Sequence, residues 1–279
     1  MILVLKGADF SANNIGKIDL PRELSDFTKA ALSASGNTSL SDEQKLALDN
    51  FFINIGAVSN TGIWRKIKVL FLPILAADKE RAFTNYVGNT RISATLSNWD
   101  FADGALKAID NSAGSSVRLF ESVKFDFTDT TVGFYDNHGM YENGIHFVVQ
   151  AGGTHSQAVI FAGTGGVQTN MIFNHYPIQN KRTIIVDPQK NFSAGRMILA
   201  TIKDSEAFGL TRDNKILTRE VISDAASYQD GEETLSLGYG GKLISPYMDF
   251  KAFIYGSAFT TDEAITFKQN IDTLISALS

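Results

Sequence analysis

From about residue 116 the chain alternates between apolar and polar residues, and this constrains its fold more than any other feature. Across 116–127 the odd positions are Val117, Leu119, Glu121, Val123, Phe125 and Phe127, while the even ones are Ser116, Arg118, Phe120, Ser122, Lys124 and Asp126. Successive strand side chains point to opposite faces, so five apolar of six on one face against one of six on the other marks a half-buried antiparallel strand. Further strand candidates follow at 131–135, 144–151, 157–162, 169–175, 182–187, 196–203, 234–238 and 247–255. Between them lie turn formers: Asn143-Gly144, Gly152-Gly153, Gly165-Gly166, Asp213-Asn214, Asp230-Gly231 and Gly240-Gly241. Many short strands without intervening helical stretches predict a β-sandwich.

The two ends of the chain read differently. From Pro21 to Ile55 the signals are helical, with Pro21 suited to a first helical position and Ser41-Asp42-Glu43-Gln44 in the form of a capping box. Leu48, Phe51, Phe52 and Ile55 follow at helical spacing, so one face must be buried, and 33–39, with Gly36 and Asn37, is the expected break before that helix. Residues 63–75 are rich in β-formers and read as a strand covered on both faces near its end. At the other terminus Thr260-Thr261-Asp262-Glu263 is a second capping box, opening a helix striped by Phe267, Ile271, Leu274, Ile275 and Leu278.

Composition narrows the chemistry. The chain has 279 residues and no cysteine, which excludes a disulfide framework, a thiolate zinc site, an iron–sulfur cluster and a cysteine nucleophile. A net charge of -5, a pI near 5.4 and 25 thinly spread Lys and Arg argue against a nucleic-acid groove. The longest apolar run, 69–77, is nine residues against the ~20 of a membrane-spanning helix, so no membrane insertion is expected. Met1 to Leu5 is apolar but Lys6 and Gly7 close it, and no secretion by a cleaved signal is expected.

Leu235-Ser236-Leu237-Gly238-Tyr239, then Met248-Asp249-Phe250-Lys251-Ala252-Phe253-Ile254-Tyr255, then Phe259-Thr260-Thr261-Asp262-Glu263 and a helix, resemble the closing pattern of concanavalin A-like lectin/glucanase jelly rolls. Met197-Ile198-Leu199-Ala200 through Leu210 to Asp213-Asn214-Lys215-Ile216 is similar to a hairpin of such domains, with Asp-Asn where they usually carry Asn-Gly. Residues 1–18, the helix SDEQKLALDNFFINIG and Gly62-Ile63-Trp64-Arg65-Lys66-Ile67 resemble proteins of tailed phages and prophages of Bacteroidetes, where a lectin-like sandwich belongs to a tail, fibre or other virion part. The resemblance implies a mainly β, antiparallel jelly-roll sandwich over 62–279 with a C-terminal helix at its edge, preceded by one strand and two helices in 1–61.

No catalytic signature accompanies it. A glycan-cleaving site needs two carboxylates about 5–9.5 Å apart, and the glucanase string Glu-x-Asp-x-x-Glu is absent. Glu121 and Asp126 are five residues apart and so fall on opposite strand faces. Of the histidines His138, His146, His155 and His175, none sits at ligand spacing from another; His146 lies opposite Ile145, Phe147 and Val149 and reads as a surface residue. No cofactor or metal is expected; calcium is the one ion for which oxygen ligands occur in one stretch, at Asp126, Asp129, Asp136 and Asn137, which also suit turn capping. Sugar recognition needs an aromatic ring beside hydrogen-bonding groups. Tyr135, Asp136, Asn137, His138 and Tyr141 form one such cluster and Asn174, His175 and Tyr176 a second, although hairpin loops have the same composition. Trp64 and Trp99 read as core.

These residues lead to the expectation of a non-enzymatic virion component that contacts host surface polysaccharide. It would be made in the host cytoplasm, released by lysis, and assembled with other virion proteins. A carbohydrate-binding lectin of a gut bacterium is the alternative, and a glycan-cleaving enzyme is disfavoured. The stripe Phe267, Ile271, Leu274 and Leu278 is expected to face another copy in a dimer or trimer, or to cover the chain's own sandwich.

Overall fold

In a computed structural model of the chain, the described residues are 22–92, 97, 99–109, 117–123, 129–136, 144–151, 157–164, 168–174, 182–187, 196–203, 206–210, 216–220, 233–237 and 249–279. Helix α1 (Asp26–Ser35) begins after Ser25, whose Oγ accepts the Thr28 N–H at 3.2 Å, and stops at Gly36 in the left-handed region. The start is thus set by a serine cap and not by Pro21, which lies outside the described residues. Helix α2 (Asp42–Asn54) has the expected box: Ser41 Oγ accepts from Gln44 N at 3.2 Å, and Gln44 Oε1 accepts from Ser41 N at 3.0 Å. Helix α3 (Thr261–Leu278) repeats it between Thr260 and Glu263, at 3.3 and 2.7 Å. The strand expected before α1 lies outside the described residues.

The strands are β1 (Ile67–Phe71), β2 (Thr84–Asn85), β3 (Thr90–Arg91), β4 (Trp99–Ala102), β5 (Ala105–Ala108), β6 (Val117–Val123), β7 (Asp129–Asp136) and β8 (Gly144–Ala151). They continue as β9 (Gln157–Thr164), β10 (Gln168–Asn174), β11 (Arg182–Asp187), β12 (Arg196–Lys203), β13 (Glu206–Leu210), β14 (Ile216–Glu220), β15 (Glu233–Leu237) and β16 (Asp249–Gly256). Among the described residues they form two antiparallel sheets. The larger runs β14-β13-β12-β7-β16-β1-β2-β3, with β5 on β16 and β4 on β5; the six-stranded one runs β11-β10-β9-β8-β15-β6. Neighbours in space are distant in sequence, as where β16 lies between β7 and β1, and β11 lies against β13 and β14 of the other sheet. This is an antiparallel jelly-roll sandwich.

β1 is shorter than expected from 63–75, because 62–66 form a 3-10 turn and Pro73, which has no N–H to donate, opens another. Its Val69, Leu70 and Phe71 are all buried, as a strand covered on both faces requires. On one face of the larger sheet Leu70, Met197, Leu199, Ala252 and Ile254 share a core with Leu48, Phe51 and Phe52 of α2 and Phe267, Ile271 and Leu274 of α3. On the other face Val132, Phe134, Ile198, Phe253 and Tyr255 are buried too. Helix α3 therefore lies across the sheet, against β12 and α2, and not at its edge. A stripe that wide needs a sheet face to cover it. The helix-side core runs from Ala31 to Ile275, so elements from both chain ends share it. Gly133, on central β7, faces this layer, where a side-chain carbon would overlap Leu199 and come 2.8 Å from the Ile198 carbonyl oxygen.

Both tryptophans are core, Trp99 wedged between Phe83 and Phe250 and Trp64 between Phe27 and Phe52. The β4–β5 hairpin turns on Asp103-Gly104, both at positive φ (51° and 67°), a turn whose sequence signal is among the strongest there is and which the strand reading passed over.

Candidate functional site

Most charged groups on the helical side hold the fold together. The Asp49 side chain on α2 is fully buried; it accepts from Ser25 N at 3.0 Å, Ser25 Oγ at 2.6 Å and Thr28 Oγ1 at 2.8 Å, and pairs with Arg22. Burial works against the charge, but the Ser25 and Thr28 hydroxyls, the Ser25 N–H and Arg22 outweigh it and hold the carboxyl below its ordinary range. Glu263 is likewise held low: burial is overcome by Lys66 at 2.6 Å and by the Thr260 N–H. Asp272 accepts the Met197 N–H at 3.0 Å and pairs with Lys268, tying α3 to β12. The Asp129 carboxylate accepts the Ala258 N–H at 3.0 Å.

Lys251 sits at a bulge where Phe250 and Ala252 face consecutive residues of β7, and its ammonium meets Ser279 Oγ at 3.1 Å beside the end of α3. Burial lowers its pKa, with Asp103 opposing. The hydroxyl of Tyr86 and the indole N–H of Trp99 are buried without a hydrogen-bond partner, and burial pushes the Tyr86 phenol far up. Among the described residues no group of three or more His, Asp or Glu could hold a metal ion.

The two expected sugar clusters separate. Tyr135 is 8% exposed within the helix-side core and cannot serve as a stacking platform, so its place in the cluster is corrected: it lies on the sheet face that the helices cover. Asp136 ends β7, with Arg196 and Phe250 as register partners. Asn174 ends β10 in the other sheet, paired with Ala158 and Arg182. Asn137, His138, Tyr141, His175 and Tyr176 lie outside the described residues, as do Asp126, His155 and the Asn137 part of the oxygen-rich stretch. Phe267, Ile271 and Leu274 are covered by the chain's own sheet and by α2, leaving no area for a second copy, while Leu278 is half-buried.

The six-stranded sheet assembles something the linear sequence did not display. Arg118, Ser236, Gln150, Ala158, Asn174 and Arg182 form one unbroken register row across all six strands. Paired residues share a sheet face. On β6, however, Arg118 pairs with Ser236 and Phe120 with the adjacent Leu235, so a bulge at Leu119 puts Arg118 and Phe120 on opposite faces and breaks the alternation expected across 116–127. The next row, on the opposite face, passes through Val117, Leu237, Val149, Val159 and Phe173. Only Asn174 was a candidate from sequence. Nothing linear shows that β15 comes between β6 and β8. A bulge at His146 also changes an assumed face: Ile145 pairs with Ala162 and Phe147 with Phe161, so Ile145 and Phe147 lie on opposite faces.

No protein-family model matches the chain, and no curated protein matches it. Among solved structures it resembles a Trypanosoma rangeli sialidase in complex with 2,3-difluorosialic acid as a covalent intermediate, with a TM-score of 0.51 and 10% identity over 74% of this chain. The chain corresponds to only 33% of that protein. Looser likenesses are to alginate lyase A1-II', of polysaccharide lyase family 7 (TM-score 0.40, 12% identity, 68% of this chain and 94% of that one), and to the CBM2 module of the evolved Dit of Lactobacillus casei BL23 phage J-1 (TM-score 0.35, 11% identity, 58% and 80%). At these identities the likeness is one of fold. It corrects one expectation: the chain was read as not an enzyme, yet a structure sharing its fold is a sialidase held as a covalent intermediate. The missing Glu-x-Asp-x-x-Glu removes one way of placing two carboxylates, not cleavage itself.

Proposed function

We propose that the chain engages glycans as part of a phage virion, in a fibre, tail or capsid-attached component, and meets host-surface polysaccharide. The observation that carries this reading is the sandwich itself, two antiparallel sheets of which the larger is closed on one face by helices. The fold shared with a sialidase solved in complex with a sialic acid analogue supports carbohydrate as the ligand class. The resemblance of the α2 region and of 62–67 to phage proteins supports the virion setting.

Two measurements test it. Host capsule and cell-wall polysaccharide, immobilised, should retain the protein; retention by none of them ends the glycan reading. Mass spectrometry of purified particles should find the chain; its absence from particles, with binding intact, favours the bacterial lectin. A second reading, glycan cleavage, draws on the sialidase likeness. Released reducing ends that vanish on changing a single carboxylate would establish it.

A further inference from the structure

The outer face of α2 carries an apolar stripe that no other described residue covers. Helix α1 packs on one side of α2, where Asp49 accepts from Ser25 and Thr28. Helix α3 packs on the other, where Gln44 donates to the Ala277 carbonyl at 3.3 Å and Asn54 to Asn270 at 2.8 Å. Between these contacts Leu46, Asn50 and Ile53 follow at i, i+4 and i+7, so they share one face, directed away from the core. Leu46 is 38% exposed and Ile53 40%; with Val58 just beyond the helix, they are three of the four large apolar side chains exposed among the described residues. Scattered singly such residues need no explanation, but three gathered along one helix and its end mark an incomplete contact.

The occupant follows from where the chain leads. Arg22 is fastened in the middle of this stripe: its guanidinium donates to Asn50 Oδ1 at 3.1 Å and pairs with Asp49. Residues 1–21, which lie outside the described residues, therefore join the fold at this face. Immediately upstream the sequence is Ile18-Asp19-Leu20-Pro21. Proline biases the residue before it toward extended backbone, in which Ile18 and Leu20 share one side and Asp19 takes the other. Two extended residues span about 7 Å, whereas Asn50 is about 6 Å along the helix axis from Leu46 and about 4.5 Å from Ile53. Leu20 is thus within reach of the stripe from Arg22. A second copy is the poorer occupant, because three side chains, each less than half exposed, fall far short of the roughly 800 Å² that each partner of a stable interface buries. A segment tethered at Arg22 needs no such area, since a short tether keeps it at a high effective concentration.

We propose that the stripe on α2 is the docking surface for the chain's own N-terminal segment, with Ile18 and Leu20 closing over Leu46 and Ile53. This strap completes the helical layer and makes Leu46 and Ile53 unavailable to a partner protein.

The test exploits the absence of cysteine, which makes an introduced thiol unique. In the full chain, Leu46→Cys and Ile53→Cys, made one at a time, should each react with a maleimide about tenfold faster once Ile18→Ser and Leu20→Ser are added. Ser33→Cys, exposed on α1, should react at the same rate with and without those changes. Trypsin should cut after Lys17 about tenfold faster in Leu46→Ser/Ile53→Ser than in the unchanged chain. Circular dichroism checks that each variant folds. Maleimide rates at Leu46→Cys and Ile53→Cys that ignore Ile18 and Leu20, or cleavage after Lys17 at one rate in both chains, overturn the proposal. Protection that persists without Ile18 and Leu20 but fades on dilution overturns it as well, and assigns the face to a second copy.

Discussion

The larger sheet and the six-stranded sheet are built from the same kind of strand but differ in how their register rows are composed. On the larger one the helix-side face is a continuous core in which Leu48, Phe52, Phe267 and Ile271 meet Leu70 and Ile254, and the charged groups around it close hydrogen bonds within the protein. On the six-stranded one a row of mostly polar residues crosses every strand, with arginine at each end. A face covered by helices from both termini stabilises the fold at the expense of access.

The largest effect should come from the helix-side core. Phe52 is fully buried, with ring contacts to Phe27, Phe51, Trp64 and Tyr86. Phe52→Ala should cost about 4 kcal/mol in urea unfolding; a cost below about 1 kcal/mol would mean that the helical layer is an ornament on an independently stable sandwich.

Next is Asp49→Ala, which strands two hydroxyls and Arg22 and should cost about 3 kcal/mol. The same carboxylate makes the junction acid-sensitive. Its folded pKa lies below the unfolded one, so its contribution is fully present above about pH 4 and is lost as pH falls through the folded value. Because Phe27 of α1 packs on Trp64, tryptophan emission should report the opening of α1 in acid, and Asp49→Asn should abolish that transition. An unchanged acid transition in the variant would place its origin elsewhere.

A smaller change of opposite sign is expected at Tyr86, whose buried hydroxyl has no partner. Tyr86→Phe removes the orphan and should stabilise by about 1 kcal/mol, seen as a higher Tm; a loss of that size would reveal a partner for the hydroxyl. The smallest effect on stability belongs to exposed charge: Lys29→Ala, which removes only exposed pairs with Glu23 and Asp26, should leave urea unfolding unchanged. A large destabilisation there would mean that surface pairs, and not the buried Asp49 cluster, hold α1 in place.

Much of this architecture was legible residue by residue. Both capping boxes, the break near Gly36 and the limits of β8, β11 and β12 follow from local chemistry, because a cap is complete within four residues and a strand announces itself by alternation. The sites were less legible. Tyr135 carries the same label in sequence whether it lines a groove or a core, and only α2 and α3 lying across β7's sheet decide for the core. His146 looked like a regular member of its strand until a bulge put Ile145 and Phe147 on opposite faces.

What the sequence determined by itself was part of the inventory: the capped helices and the longer strands, since these follow from backbone geometry and the transfer of apolar groups from water. What only the tertiary structure decided was adjacency. Arg118, Gln150, Arg182 and Ser236 stand in one row because β15 enters between β6 and β8 and the registers of five strand pairs agree. Register depends on the partner strand as much as on the strand itself, so no stretch of the chain read alone contains it.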